Sequence, residues 1–129
     1  MCKKEKIIRD YFNSWIDNNI NKLEKIFSPN VIYCECYGPE YHGLDTLKMW
    51  FKDWHMNGKV FIWDIKQIIN EGNIYVVEWY FKFEYNNKIS DFDGVSIIEF
   101  NNEDKIINLK EFQSKSKHYF PYEDIKELQ

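Results

Sequence analysis

No stretch of this sequence approaches the ~18 consecutive apolar residues of a membrane-spanning helix, so a membrane is not an expected partner. The start, Met1-Cys2-Lys3-Lys4-Glu5-Lys6, is basic, but no long apolar segment follows it. That argues against a secretory signal and makes the cytoplasm the expected compartment. Cysteine is scarce: Cys2, Cys34 and Cys36 are an odd count, which reads as free, structural thiols rather than a disulfide framework. The three histidines, His42, His55 and His118, show no HxH or HExxH spacing, so no metal site is expected. Positive charge is never concentrated. The formal net charge is −4 and the charges are interspersed, as in Glu103-Asp104-Lys105, which leaves no basic stripe for nucleic acid. There is no repeat, linker or low-complexity tract, and 129 residues is the size of one domain. We therefore expect a single domain over residues 1–129.

Aromatic residues are abundant, at 19% of the chain within a hydrophobic fraction of 44%. Rings on this scale fill a core, and they also line small-molecule pockets. Their spacing gives the elements. Ile7, Ile8, Tyr11, Phe12, Trp15 and Ile16 make one helical stripe, and Ile20, Leu23, Ile26 and Phe27 a second, shorter one stopped by Ser28-Pro29-Asn30. Val31 to Tyr37 reads as a strand, with Val31, Tyr33, Glu35 and Tyr37 on one face and Ile32, Cys34 and Cys36 on the other. Gly43 precedes a third helix, whose buried stripe is Leu44, Leu47, Trp50, Phe51 and Trp54, and Asn57-Gly58 ends it.

Four strands follow. Residues 59–70 place Val60, Ile62 and Asp64 on one face and Phe61, Trp63 and Ile65 on the other. Residues 74–85 alternate clearly, with Tyr75, Val77, Trp79, Phe81, Phe83 and Tyr85 inward. Asn86-Asn87 is a hairpin signal, and residues 89–100 and 105–114 complete the set. In the first of these last two strands, Asp91 and Asp93 take the outer face and Gly94 and Ser96 the inner one. The tail around Pro121 is expected to pack loosely or to form a short helical end. Helices segregated from a run of antiparallel strands define an α+β fold.

This order, with an acid on the first strand, resembles the nuclear transport factor 2-like superfamily, which includes SnoaL-like polyketide cyclases and ketosteroid isomerases. The resemblance spans nearly the whole chain. It is carried by Tyr11-Phe12-Asn13-Ser14-Trp15, by Phe27-Ser28-Pro29-Asn30-Val31, by the segment from Glu35 to Gly43, and by Ile98-Glu99-Phe100 with Lys105-Ile106 and Glu111-Phe112. It implies a cone-shaped, curved antiparallel sheet closed by three N-terminal helices, the cystatin-like α+β barrel. It also implies a homodimer paired through the outer sheet face. By this resemblance Glu35 falls where the isomerase keeps its general-base Asp, and Tyr11 where it keeps its oxyanion-hole Tyr. Ser96 stands where the isomerase keeps a protonated Asp, so that reaction does not carry over intact. The same resemblance implies that Trp79, Phe81, Leu109, Glu111 and Gln113 turn toward the cavity.

The expected site is thus an acidic, aromatic-lined pocket. Glu35, between Tyr33 and Tyr37, is the candidate base, since burial among rings raises a carboxyl pKa toward neutrality. Tyr11 is the candidate oxyanion donor and Glu111 a second acid. Trp15, Tyr33, Tyr37, Trp50, Trp54, Trp79, Phe81, Ser96, Leu109 and Gln113 are the candidate ligand-binding residues. Each aromatic taken singly also fits plain core packing, and His42 and His55 fit a loop and a helix end. The expected ligand is a small hydrophobic, oxygen-bearing molecule, and no organic cofactor is called for. Acid/base catalysis of the isomerase or cyclase kind, ligand binding without turnover, and dimeric assembly all remain open, because fold does not choose among them. The frequency of Asn, Ile and Lys points to an AT-rich, bacterial genome.

Overall fold

The computed structural model describes residues 2–123. Helix α1 (Lys3–Ile16) begins at Cys2, whose Sγ accepts the Glu5 N–H at 3.4 Å, and buries Ile8, Tyr11, Phe12, Ser14 and Trp15. The chain reverses at Asn18, in the left-handed region at φ 52°, where asparagine is well tolerated. A short 3-10 turn (Ile20–Lys22) leads into α2 (Leu23–Ile26). Strand β1 (Phe27–Cys34) starts at the residue after α2, earlier than the Ser-Pro-Asn signal suggests. Pro29 is accommodated because pairing with β6 is interrupted between Phe27 and Ile32, so its missing N–H leaves no ladder bond broken.

A three-residue strand, β2 (Glu40–His42), precedes helix α3 (Leu44–Asn57). Four long strands complete the chain: β3 (Gly58–Glu71), β4 (Ile74–Tyr85), β5 (Lys88–Phe100) and β6 (Ile106–Ser114). They form one six-stranded sheet in the order β2-β1-β6-β5-β4-β3. All pairings are antiparallel except that of β1 with β6, which is parallel. The meander brings β6 back to the sheet's start, and no hairpin constrains the direction of that last pairing. Asn86 and Asn87, at φ 50° and 65°, make the two-residue turn between β4 and β5 that the asparagine pair signals.

The expected α+β architecture, a curved open sheet covered by helices, is therefore present, with β2 as an addition. Residues 121–123 are helical, and residues 124–129 lie outside the described residues. No helix among the described residues is long and apolar enough to cross a membrane.

Two irregularities bend β3 against β4, one between Val60 and Ile62 and one between Ile65 and Gln67. The first corrects the alternation read from the sequence. Val60 and Trp63 both turn inward, 1% and 7% exposed, while Phe61 between them faces out. The inner face of the sheet meets α1 in a continuous aromatic core. Phe12 stacks on Trp63 at 4.0 Å between centroids, and Trp63 meets Trp79 edge-on at 5.6 Å.

Candidate functional site

Between the helices and the inner sheet face lies a half-open cavity of about 60 Å³. One water needs ~10–15 Å³ on this measure, so the space suits a few waters or a ligand of similarly few heavy atoms. Helix α1 contributes Trp15 and α3 contributes Trp50 and Trp54. From the sheet come Tyr33 of β1, Trp63 of β3, Trp79, Phe81 and Phe83 of β4, Phe92 of β5 and Glu111 of β6. Glu35, Cys36 and Tyr37 complete the wall from the turn after β1. All five tryptophans of the chain line this one space.

The turn explains how three consecutive residues face the same way. β1 ends at Cys34, and the Glu35 carbonyl accepts the Gly38 N–H at 3.1 Å, with Gly38 at φ 108°. The strict alternation expected through Tyr37 therefore stops short, and Cys36 joins Glu35 and Tyr37 instead of opposing them.

Two carboxyls face the cavity, each held by a tyrosine. The Tyr41 hydroxyl donates to Glu35 Oε2 at 2.7 Å, and the Tyr41 ring stacks on Trp50 at 4.6 Å. The Tyr33 hydroxyl donates to Glu111 Oε2 at 2.6 Å and itself accepts from Tyr11 at 2.6 Å. This places Tyr11 one hydroxyl behind the cavity wall. It supports Glu111 through Tyr33 and does not reach the cavity itself. Parallel pairing makes the link possible: Tyr33 lies opposite Leu109, and Glu111 is the next inward residue along β6.

Burial, aided by the charge of Glu35, pushes the Glu111 carboxyl up to about 8 against the opposing donation from Tyr33. The residue is only partly covered overall because the cavity opens at one end, yet its carboxyl is enclosed by protein atoms. Burial also raises Glu35, which is less enclosed and is partly offset by Tyr41. Glu35 therefore ionises first, and its charge then opposes ionisation of Glu111. The Cys36 thiol is pushed up to about 12 by burial and by the two carboxylates, so it stays a protonated wall group. Burial raises the hydroxyls of Tyr11, Tyr33 and Tyr41 as well.

Other expected residues sit elsewhere. Ser96 is fully buried and accepts the Trp79 indole N–H at 2.9 Å, so it anchors a wall residue rather than facing the cavity. Leu109 is buried in the core beneath the wall. Gln113 is exposed near the end of β6 and lines a shallow surface groove with Asp91 and Lys115. His42 pairs with Glu40 at 2.6 Å on the surface. The His55 ring nitrogens face the carbonyls of Phe51 and Trp15, tying α3 to the end of α1. Among the described residues no group of three metal-ligating side chains comes together.

Trp63, Phe83, Phe92, Cys36 and Tyr41 were not expected at the site. Phe83 shares a strand face with Phe81, and Phe92 shares one with Gly94 and Ser96, so alternation could have found both. The bulge in β3 hides Trp63, and nothing in the sequence points to Tyr41. The Trp63 N–H is buried and makes no hydrogen bond. The Trp15 N–H lies near enough to Tyr11 to favour its ionised form slightly but makes no bond of good geometry.

A family model described as a SnoaL-like domain matches residues 8–109. No curated protein matches the sequence. Among solved structures, a hypothetical protein with a ketosteroid isomerase-like fold from Catenulispora acidiphila, in complex with trimethylamine, superposes with a TM-score of 0.75 at 14% identity, over 84% of this chain and 85% of that one. An LEH-like epoxide hydrolase from M. tuberculosis gives 0.77 at 9% identity, over 86% and 78%. A protein with a cystatin-like fold from Xanthomonas campestris gives 0.73 at 15% identity, over 88% and 92%. At these identities the likeness is one of fold.

Proposed function

The chain belongs to the SnoaL-like domain family, and from that premise we propose that its cavity binds a small hydrophobic, oxygen-bearing molecule and moves a proton on it through Glu35. The observation that carries this reading is the pair of carboxyls with separated ionisation, Glu35 and Glu111, facing one aromatic cavity. Two titratable groups pushed apart by their environments are the usual mark of an acid and a base sharing a site.

Near neutral pH Glu111 keeps its proton. With Oε2 accepting from Tyr33, its other oxygen carries the proton as a donor. Glu35 takes a proton from a carbon next to the substrate carbonyl. The C–H electron pair moves to the carbonyl oxygen, and Glu111 donates a hydrogen bond to the developing negative charge. Return of the proton to a second carbon completes an isomerisation. Tyr11 acts at one remove, by orienting Tyr33.

The test is hydrogen–deuterium exchange at the α-carbon of small cyclic enones, followed by NMR with the full chain. Glu35→Gln should slow exchange by at least ~100-fold, the usual scale of general-base catalysis. Unchanged exchange in that variant removes Glu35 as the base.

A second reading concerns assembly. The outer sheet face carries Ile32, Ile97 and Phe112, all exposed, with Phe112 opposite Val95 across β5 and β6. Apolar side chains grouped on one face support pairing of two copies through that face. Phe112→Asp should then shift the sedimentation coefficient from dimer to monomer, and a wild-type chain that sediments as a monomer at micromolar concentration overturns the reading.

A further inference from the structure

We infer that the cavity takes a small organic cation, an alkylammonium or quaternary ammonium ion, with its charge beside Glu35 and Glu111 and its alkyl groups against the rings. This rests on the reading of the cavity as a ligand site and narrows the chemistry of its ligand.

The first argument is charge. The wall holds two carboxylic acids and no Lys, Arg or His. Every salt bridge among the described residues lies elsewhere, so neither Glu35 nor Glu111 has a cationic partner among them. The other titratable groups around them are Tyr11, Tyr33, Tyr37, Tyr41 and Cys36, all of which burial keeps neutral in the physiological range. An anion is repelled by this wall. A neutral apolar ligand strips water from the Glu35 carboxylate and gives nothing back. A cation pairs with it.

The second argument is the wall's composition. Ten of the thirteen lining residues are aromatic, and none is Leu, Ile, Val, Ala or Met. A merely apolar ligand needs no such selection, since aliphatic side chains bury it equally well. Ring faces differ from aliphatic groups in one electrostatic respect: they carry partial negative charge and attract cations, and most strongly so in tryptophan. The cavity, at about 60 Å³, has the scale of a trimethylammonium group. A fixed positive charge also stabilises an enolate forming beside it, so this ligand class is compatible with proton removal by Glu35.

Choline and its neutral isostere 3,3-dimethylbutan-1-ol differ in charge and little in shape. Titrated against the full chain, each is read by tryptophan emission, to which every tryptophan contributes from the cavity wall. Choline should bind at least about tenfold more tightly than the alcohol. Glu35→Gln should lower that ratio several-fold, measured within one protein, with the rings keeping a residual preference for the cation. Equal or tighter binding of the alcohol overturns the cationic ligand and leaves the pocket reading standing. Failure of both ligands to alter emission at millimolar concentration overturns the pocket reading with it.

Discussion

Glu111→Gln should make the folded protein more stable by about 2–4 kcal/mol at pH 9 and less stable by about 1–3 kcal/mol at pH 4. The sign follows from the direction of the shift. The carboxyl has an ordinary value of 4.5 and is pushed up to about 8 in the folded chain, chiefly by burial. Between those two values the unfolded chain has lost the proton while the folded chain keeps it. The folded state therefore binds more protons, and stability falls as pH rises. At ~1.4 kcal/mol per pH unit the window is worth on the order of 5 kcal/mol, reached once pH passes the folded value. Below the unfolded value both states are protonated and the penalty vanishes.

Glutamine keeps an oxygen to accept from Tyr33 and carries no charge. Its amide N–H groups need partners in the cavity, which offsets about 1–3 kcal/mol of the gain. Urea denaturation of both proteins from pH 4 to pH 9 reads the difference directly. Glu35 contributes a slope of the same sign in both, so subtraction isolates Glu111. A difference that does not grow between pH 5 and pH 8 shows that Glu111 ionises normally, and the proposed acid then has no proton to hold at neutral pH. An effect of this size is large against the ~5–15 kcal/mol of a typical domain. Replacing Glu111 would relieve it, so a chain that keeps the carboxyl is consistent with a site selected for chemistry rather than stability.

How far the site could be read from sequence varies with the range of the interaction. Local patterns transferred well. The alternation of Tyr75, Val77, Trp79, Phe81 and Phe83 places the middle of the wall correctly, because β4 runs without a break against β5. Glu35 reaches the cavity, but from a turn rather than a strand, because the chain leaves β1 after Cys34. A bulge puts Trp63 on the same face as Val60 rather than opposite it, which period-two reading cannot detect. Strand β2 has only Glu40–His42, too short to make a pattern. The Tyr33–Glu111 bond joins residues 78 apart in sequence through a parallel pairing that no turn announces. That bond also decides the role of Tyr11. A tyrosine on a buried helix stripe looks the same in sequence whether its hydroxyl meets a ligand or another tyrosine.

Gly94→Ala should destabilise the protein by about 3 kcal/mol, although in a strand with free space the same change would stabilise it by ~0.5–1 kcal/mol. Gly94 lies directly across from Trp79 in the β4–β5 pairing, and the indole rests against its backbone. A Cβ added there would fall 2.2 Å from Trp79 Cη2 and 2.6 Å from two further ring carbons, well inside contact distance. The indole can retreat only into the cavity. Its N–H is bonded to Ser96, it is 2% exposed, and Phe12, Trp63, Phe81 and Phe92 surround it at centroid distances of 5.6–6.5 Å. Alanine must therefore either distort the strand pair or drive the ring into the cavity and leave the N–H and Ser96 unpaired, which adds ~1–3 kcal/mol for a buried polar group. Shortening the ring should relieve the clash. Trp79→Phe combined with Gly94→Ala should be less destabilised than the sum of the two single changes, a coupling that a double-mutant cycle in urea measures. If the two changes simply add, or if Gly94→Ala alone is neutral, the indole is free to move, and the rigid wall on which the ligand proposals depend is lost with it.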